Sequence, residues 1–211
     1  MIAIIDYRAG NLASVARAIN HLGFECRITH NLKEIARAEK LIFPGVGSAG
    51  KAMKDLKKMD LDKAIVDFYK TGKPFLGICL GTQVILDDSE ENETACLGIV
   101  SGSVRRFPSP AHSKNGNALK VPHMGWNEVE LKIPHPVFEG VAQGSEFYFV
   151  HSYFPVPKNK GTIIGTTDYG ISFASALGYK NLIAVQFHPE KSGKPGLTIL
   201  KNFCEANFEN Q

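Results

Sequence analysis

Tryptophan occurs once in the 211 residues and cysteine only four times. No apolar run approaches the roughly 20 residues that a membrane helix needs. Cys26, Cys79, Cys96 and Cys204 are widely spaced, with no Cys-x-x-Cys pair. That pattern indicates neither a zinc site nor a disulfide framework. No metal or other cofactor is expected, and scattered thiols suit a reducing, cytoplasmic setting. Charge of one sign is also missing: 24 Lys and Arg stand against 21 Asp and Glu, a net +3. The basic pairs Lys57-Lys58 and Arg105-Arg106 read as solvated faces, so neither nucleic acid nor a membrane is an expected partner. Ile2-Ala3-Ile4-Ile5, closed by Asp6, is too short for a signal-peptide core. No segment repeats. With 44% hydrophobic residues, the chain is read as one domain, residues 1–211, with a sizeable core.

Strand and helix patterns alternate through the first half. Ile2 to Ile5 reads as a strand. Asn11 to His21 reads as a helix, with Leu12, Val15, Ala16 and Ile19 on one face. Glu25 to Ile28 is a second strand, and Asn31 is placed to cap a helix over Leu32 to Ala38. Leu41 to Phe43 is a third strand, and Leu61, Ile65 and Phe68 mark another helix. Phe75 to Ile78 is a fourth strand. Such alternation predicts an open α/β architecture, a mainly parallel twisted sheet with helices on both faces. From Ile99 onward the pattern turns β-rich, through Val129 to Leu131, Phe147 to Val150, Thr162 to Gly165 and Leu182 to Phe187. Pro108 to Asn117 reads as a surface loop, and a last helix is expected around Leu197 to Phe208.

The richest segment is Phe75-Leu76-Gly77-Ile78-Cys79-Leu80-Gly81-Thr82-Gln83. A buried strand ends there in a cysteine, and a helix begins directly after it. Gly77 and Gly81 bracket the cysteine, as a sharp strand-to-helix elbow requires. A sulfur held at a helix N-terminus is favoured as thiolate. Cys79 is therefore a candidate nucleophile. A base and an orienting acid would complete it. Leu182 to Phe187 runs straight into His188-Pro189-Glu190, which supplies both. In an extended segment Glu190 would project to the same side as His188 and hold its tautomer.

These two segments resemble the triad class of glutamine amidotransferases, which release ammonia from the glutamine side chain through a cysteinyl thioester. Phe43-Pro44-Gly45-Val46-Gly47, Val121-Pro122-His123-Met124-Gly125-Trp126-Asn127 and Tyr148-Phe149-Val150-His151-Ser152-Tyr153 narrow the match. Together they resemble the glutaminase subunits of imidazole glycerol phosphate synthases, along essentially the whole chain. The resemblance implies a flavodoxin-like fold with Cys79, His188 and Glu190 as triad. It implies the Leu80 and Val46 N–H groups as oxyanion donors, with glutamine held by Gly45, Gly47, Gln83, His151, Ser152 and Tyr153. It also implies a heterodimer with a (β/α)8 cyclase subunit, met by Asn11, Pro122, His123, Met124, Trp126, Tyr148 and Lys191. That cyclase would use the ammonia to form imidazole glycerol phosphate and a carboxamide ribonucleotide in histidine biosynthesis.

Bland readings stand beside these. Pro-Gly-Val-Gly is also an ordinary tight turn, Gln83 a helix surface residue, and His151 a half-buried structural histidine. Arg8 and Thr82 depart from the family pattern, near the subunit contact and beside Gln83 respectively. A glutaminase serving a different synthase would keep every motif. A free-standing cysteine hydrolase would not need the Pro-His-Met-Gly-Trp-Asn surface, and a silent binding module would be expected to lose the triad.

Overall fold

The computed structural model describes residues 1–8, 10–108, 110–112, 116 and 118–206. Parts of the expected 108–117 loop, and the end of the expected last helix, lie outside the described residues.

The main sheet has eight strands. β1 (Ile2–Ile5) lies between β2 (Cys26–Thr29) and β3 (Lys40–Gly45), and β4 (Phe75–Cys79) pairs with β3. The late strand Leu182–Val185 joins β4, and all five run parallel. Ser172–Tyr179, Ile163–Asp168 and Glu130–Leu131 then extend the same sheet antiparallel. Every residue of β1, β3, β4 and the late strand is buried. Parallel strands covered on both faces need that continuous apolar character.

Side-chain alternation splits the core in two. Ile2, Ile4, Ile42, Leu76 and Ile78 face one side, with α1 (Leu12–His21) and the last helix (Gly193–Glu205). Ala3, Ile5, Leu41, Phe43 and Phe75 face the other, with α2 (Leu32–Arg37), α3 (Ala49–Lys58) and α4 (Leu61–Lys70). Asn31 caps α2 as expected, its Oδ1 accepting from the Lys33 and Glu34 N–H groups. α3 had not been expected, although Ala49, Ala52, Met53 and Leu56 carry the helical spacing.

The β-rich half holds a correction. His123-Met124-Gly125-Trp126-Asn127, absent from the strands expected above, is a regular strand, His123–Glu128. It pairs antiparallel with Glu146–His151, Trp126 opposite Tyr148. The cross-strand ladder outweighs the low strand propensity of Gly125. A further small sheet runs through Tyr153–Pro157, Gly102–Arg106, Asp88–Ser89 and Thr94–Ala95.

β1, β3, β4 and the late strand all end at one edge of the sheet. Gly45 pairs with Cys79 there, and Ile78 with Val185. That edge is where open parallel sheets bind ligands.

Candidate active site

Cys79 ends β4 with φ 53° and ψ −106°, a left-handed conformation rare for a side-chain-bearing residue. The short helix α5 (Leu80–Val84) starts at the next residue. Gly81 allows this: a Cβ there would sit 1.8 Å from the Phe43 carbonyl oxygen, so only glycine lets α5 rest on β3. Thr82 is wholly buried, and its hydroxyl donates to the Val185 carbonyl at 2.6 Å, tying α5 to the late strand. The departure at Thr82 is thus a structural tie between the two strand ends.

His188 follows the late strand by three residues. Its N–H donates to the Tyr148 carbonyl, and its carbonyl accepts from the Ser192 hydroxyl. The ring Nδ1 lies 2.8 Å from Glu190 Oε1, with both side chains essentially buried. Residues 189–191 form a single turn of 3-10 helix, so the expected extended link is corrected: the turn, not strand alternation, brings Glu190 under the ring. A carboxylate only accepts, so Nδ1 carries a proton directed at Glu190, which leaves Nε2 as the nitrogen turned to the Cys79 sulfur. Nε2 has no hydrogen-bond partner. Burial pushes His188 down, but the sulfur of Cys79 and the carboxylate of Glu190 outweigh it and lift the imidazole to about 10. Asn11 adds a third member: its Nδ2 donates to Glu190 Oε1 at 2.5 Å.

Cys79 opens into a cavity of about 290 Å³. Val46, Gly47, Leu80 and Gln83 line it with the cysteine, and His151, Ser152 and Tyr153 complete the wall. Gly45 belongs to β3 rather than to the following turn, and lies outside this lining. The turn is made by Val46 and by Gly47, whose φ of 101° requires glycine. Sequence reasoning missed Glu91, the one acidic side chain lining the cavity. It missed Gln186 as well, whose Nε2 lies 3.7 Å from Cys79 Sγ. Gln186 stands two residues before His188, a position that could have drawn notice.

Three expected interface residues part company. On the His123–Glu128 strand, alternate side chains face opposite ways. Met124 and Trp126 are 61% and 54% exposed, whereas His123 is 2% exposed. The expectation that His123 meets a partner is corrected, because its ring packs against Phe149 and Tyr169 in the interior. His123 Nδ1 donates to His151 Nε2 (3.1 Å), and His151 Nδ1 donates to the Tyr153 carbonyl (2.7 Å). Asn127 Nδ2 donates to His123 Nε2, which fixes both tautomers as neutral. Burial pushes His123 down to about 4 and His151 to about 3. Outside, Trp126 meets Tyr148 at 6.1 Å between ring centroids, and Lys191 Nζ lies 5.9 Å from the Tyr148 ring. Pro122 lines the cavity, so this exposed patch starts at its rim.

The family profile for Glutamine amidotransferase class-I matches residues 3–206. The chain belongs to that family. Curated relatives narrow it to the HisH group. The chain is 50% identical over 203 residues to the imidazole glycerol phosphate synthase subunit HisH of Nitratidesulfovibrio vulgaris (strain Miyazaki F), covering 96% of this chain and 95% of the relative. The HisH of Dehalococcoides mccartyi (strain CBDB1) is 47% identical over 204 residues, 96% of each chain. Among solved structures, PurLQS from Thermotoga maritima superposes with a TM-score of 0.73 at 15% identity, covering 96% of each chain. A glutamine amidotransferase crystal structure does so with 0.70 at 18%, over 97% of this chain and 100% of that one. At such identities the structures speak for the fold alone. Among the described residues no helix is long and apolar enough to cross a membrane.

Proposed function

We propose that this glutamine amidotransferase is the glutaminase subunit of an imidazole glycerol phosphate synthase, with Cys79, His188 and Glu190 as its triad. The observation that carries the reading is the His188 ring. One nitrogen is held by Glu190 and the other is turned to the sulfur of Cys79, a cysteine on a strained elbow.

In this mechanism the Cys79 thiolate attacks the side-chain amide carbon of glutamine. The Leu80 and Val46 N–H groups receive the developing oxyanion. His188 passes its proton to the departing ammonia, leaving a thioester. Water, deprotonated by His188, then hydrolyses the thioester to glutamate and frees the thiol. Glu190 keeps the imidazolium charge stabilised throughout.

Substrate recognition follows from the donors already in use. Both amide hydrogens of Gln83 are committed, to the Tyr153 carbonyl (2.9 Å) and to Gln186 Oε1 (3.1 Å). Gln83 therefore has only its oxygen for the substrate, and accepts from the α-ammonium of glutamine. Glu91 supplies the matching negative charge, and Gly47, His151, Ser152 and Tyr153 shape the remaining wall. Gly45 acts from behind, since a Cβ there would meet the Tyr7 hydroxyl at 1.9 Å.

Met124, Trp126, Tyr148 and Lys191, with Pro122 at the rim and Asn11 beneath, form the face for the cyclase subunit. Aromatic and Met side chains exposed together are the composition of interface anchors. Ammonia leaving Cys79 would cross there without meeting bulk water. The 50% identity to a HisH supports the histidine-pathway cyclase as the partner. Four free cysteines suit a reducing, cytoplasmic compartment.

Reconstitution with that cyclase tests the whole reading. Wild type should give glutamine-dependent turnover of the cyclase substrate. Cys79→Ala should abolish it while leaving turnover with added ammonium salts intact. Glutaminase activity surviving in Cys79→Ala would overturn the triad assignment.

A further inference from the structure

Gln186 is completely buried, two residues before His188, and no step above uses it. Its side chain ends a short hydrogen-bonded series: Tyr153 carbonyl, Gln83 amide, Gln186 amide, Cys79 sulfur. The direction of the series is fixed by chemistry. A backbone carbonyl only accepts, so the Gln83 atom 2.9 Å from the Tyr153 oxygen is its nitrogen. That nitrogen has only donors to offer, so the Gln186 atom 3.1 Å away is the oxygen. The Gln186 nitrogen is then the atom turned to Cys79 Sγ, at 3.7 Å. No choice of amide rotamer reverses this without setting donor against donor or oxygen against oxygen.

We propose that Gln186 is a further catalytic residue of the glutaminase reaction, donating an N–H···S hydrogen bond that stabilises the Cys79 thiolate, with Gln83 as its positioning residue. The inference rests on Cys79 being the nucleophile. A donor aimed at sulfur favours the charged form, because a thiolate accepts far more strongly than a thiol. It also settles where the thiol proton goes. With Gln186 donating, the S–H is left to point at the unpartnered Nε2 of His188. The proton moves along that bond, from sulfur to imidazole, leaving the amide donor on the thiolate. His188, after the late strand, and Tyr7, after β1, are coupled electrostatically to Cys79. Tyr7 is a buried phenol held neutral and adds no charge, whereas Gln186 and His188 both favour the anion.

The arrangement also links substrate binding to the nucleophile. Gln83 lines the cavity, and a substrate ammonium drawing on its oxygen would polarise the same amide that grips Gln186. Filling the glutamine site thereby strengthens the donor on sulfur.

The test is alkylation of Cys79 in the full chain by iodoacetamide from pH 5.5 to 10. Peptide mass spectrometry separates Cys79 from Cys26, Cys96 and Cys204. In Gln186→Met, which keeps the volume and lacks the donor, the Cys79 rate at pH 6.5 should fall about tenfold, a midpoint shift of about one unit. The rates should converge at high pH, where both sulfurs are ionised. Superimposable profiles for an activated wild type and Gln186→Met would overturn this proposal and leave the nucleophile reading standing. A wild-type Cys79 that titrates like Cys26 would overturn both. A second measurement covers a Gln186→Met that does not fold. The Gln186 side-chain amide protons, followed by NMR in labelled wild type and in Cys79→Ala, should shift when the sulfur is removed. Unmoved signals would overturn the hydrogen bond.

Discussion

His188 and His151 are both enclosed and close enough to repel one another electrostatically, yet they end in opposite protonation states. Burial pushes each down. His188 also faces a carboxylate and the Cys79 sulfur, and these raise it to about 10. His151 faces a carbonyl, the ring of His123 and the charge of His188, with no carboxylate to offset them, and is pushed down to about 3. Partners, not depth, decide the charge. The pocket thus sets one charged imidazole beside a neutral pair that serves as framework. The framework pair holds the Tyr153 carbonyl, the same group that orients Gln83.

The largest test of the contrast removes the charge under His188 and keeps its shape. Glu190→Gln can still accept from Nδ1 but cannot stabilise imidazolium. Glutamate release by the complex should fall about 10²- to 10⁴-fold, the range seen when a triad acid loses its charge. Activity within threefold of wild type would break the distinction between the two histidines.

The neutral pair predicts a stability effect of the opposite kind. The folded values of His123 and His151, about 4 and 3, lie below the unfolded value near 6.5. Below pH 6.5 the unfolded chain therefore takes up protons that the folded chain refuses, and stability falls with pH. By pH 4 the loss should be on the order of 3 kcal/mol for each histidine. Urea unfolding from pH 8 to 4 measures it. The slope between pH 6.5 and 4 should be shallower in His123→Gln, and an equal slope in both proteins would exclude the pair as its source.

These predictions divide along the line between what the residues disclosed and what they concealed. The parallel half was legible because each strand is an uninterrupted apolar run and each helix carries its own period, as in Phe75 to Ile78 or Leu12 to Ile19. The proposed triad was legible because Cys79 ends one apolar strand, and His188 and Glu190 follow another by three and five residues. The antiparallel half was harder. In His123–Glu128 the glycine and the mixed side chains reflect two different neighbours, a buried aromatic cluster on one face and solvent on the other. A single sequence shows the alternation but not which face is inside, so His123 was grouped with Trp126. Gln186 and Glu91 were hidden for another reason: their partners lie 107 and 42 residues away, at Cys79 and Ala49. Local pattern carries no trace of such pairings.

The exposed face of that strand gives the next test. If Trp126 anchors the cyclase while His123 serves the interior, Trp126→Ala should weaken association by about 2 kcal/mol, roughly 30-fold in Kd. Its thermal unfolding should change little, since the ring is 54% exposed. A large loss of stability with unchanged affinity would assign both faces to the core.

The smallest effect expected is at Asn11, and it asks whether the proton-holding side extends beyond Glu190. The Asn11 amide donates to the same Glu190 oxygen that accepts from His188. Two donors on one oxygen fix its position and temper its basicity. Gly10 packs against the Val46-Gly47 turn, since a Cβ there would lie 3.1 Å from Val46 Cγ2. One loop therefore touches both the acid and the turn. Removing a hydrogen bond to a charged group typically weakens what it holds by about 1.5 kcal/mol, so Asn11→Ala should lower kcat about tenfold with cyclase saturating. Asn11→Asp should lower it further by setting a second negative charge beside Glu190. Because the loop also borders the partner face, affinity and kcat have to be measured separately. A variant that needs more cyclase but regains wild-type kcat at saturation would confine Asn11 to docking, and the relay would end at Glu190.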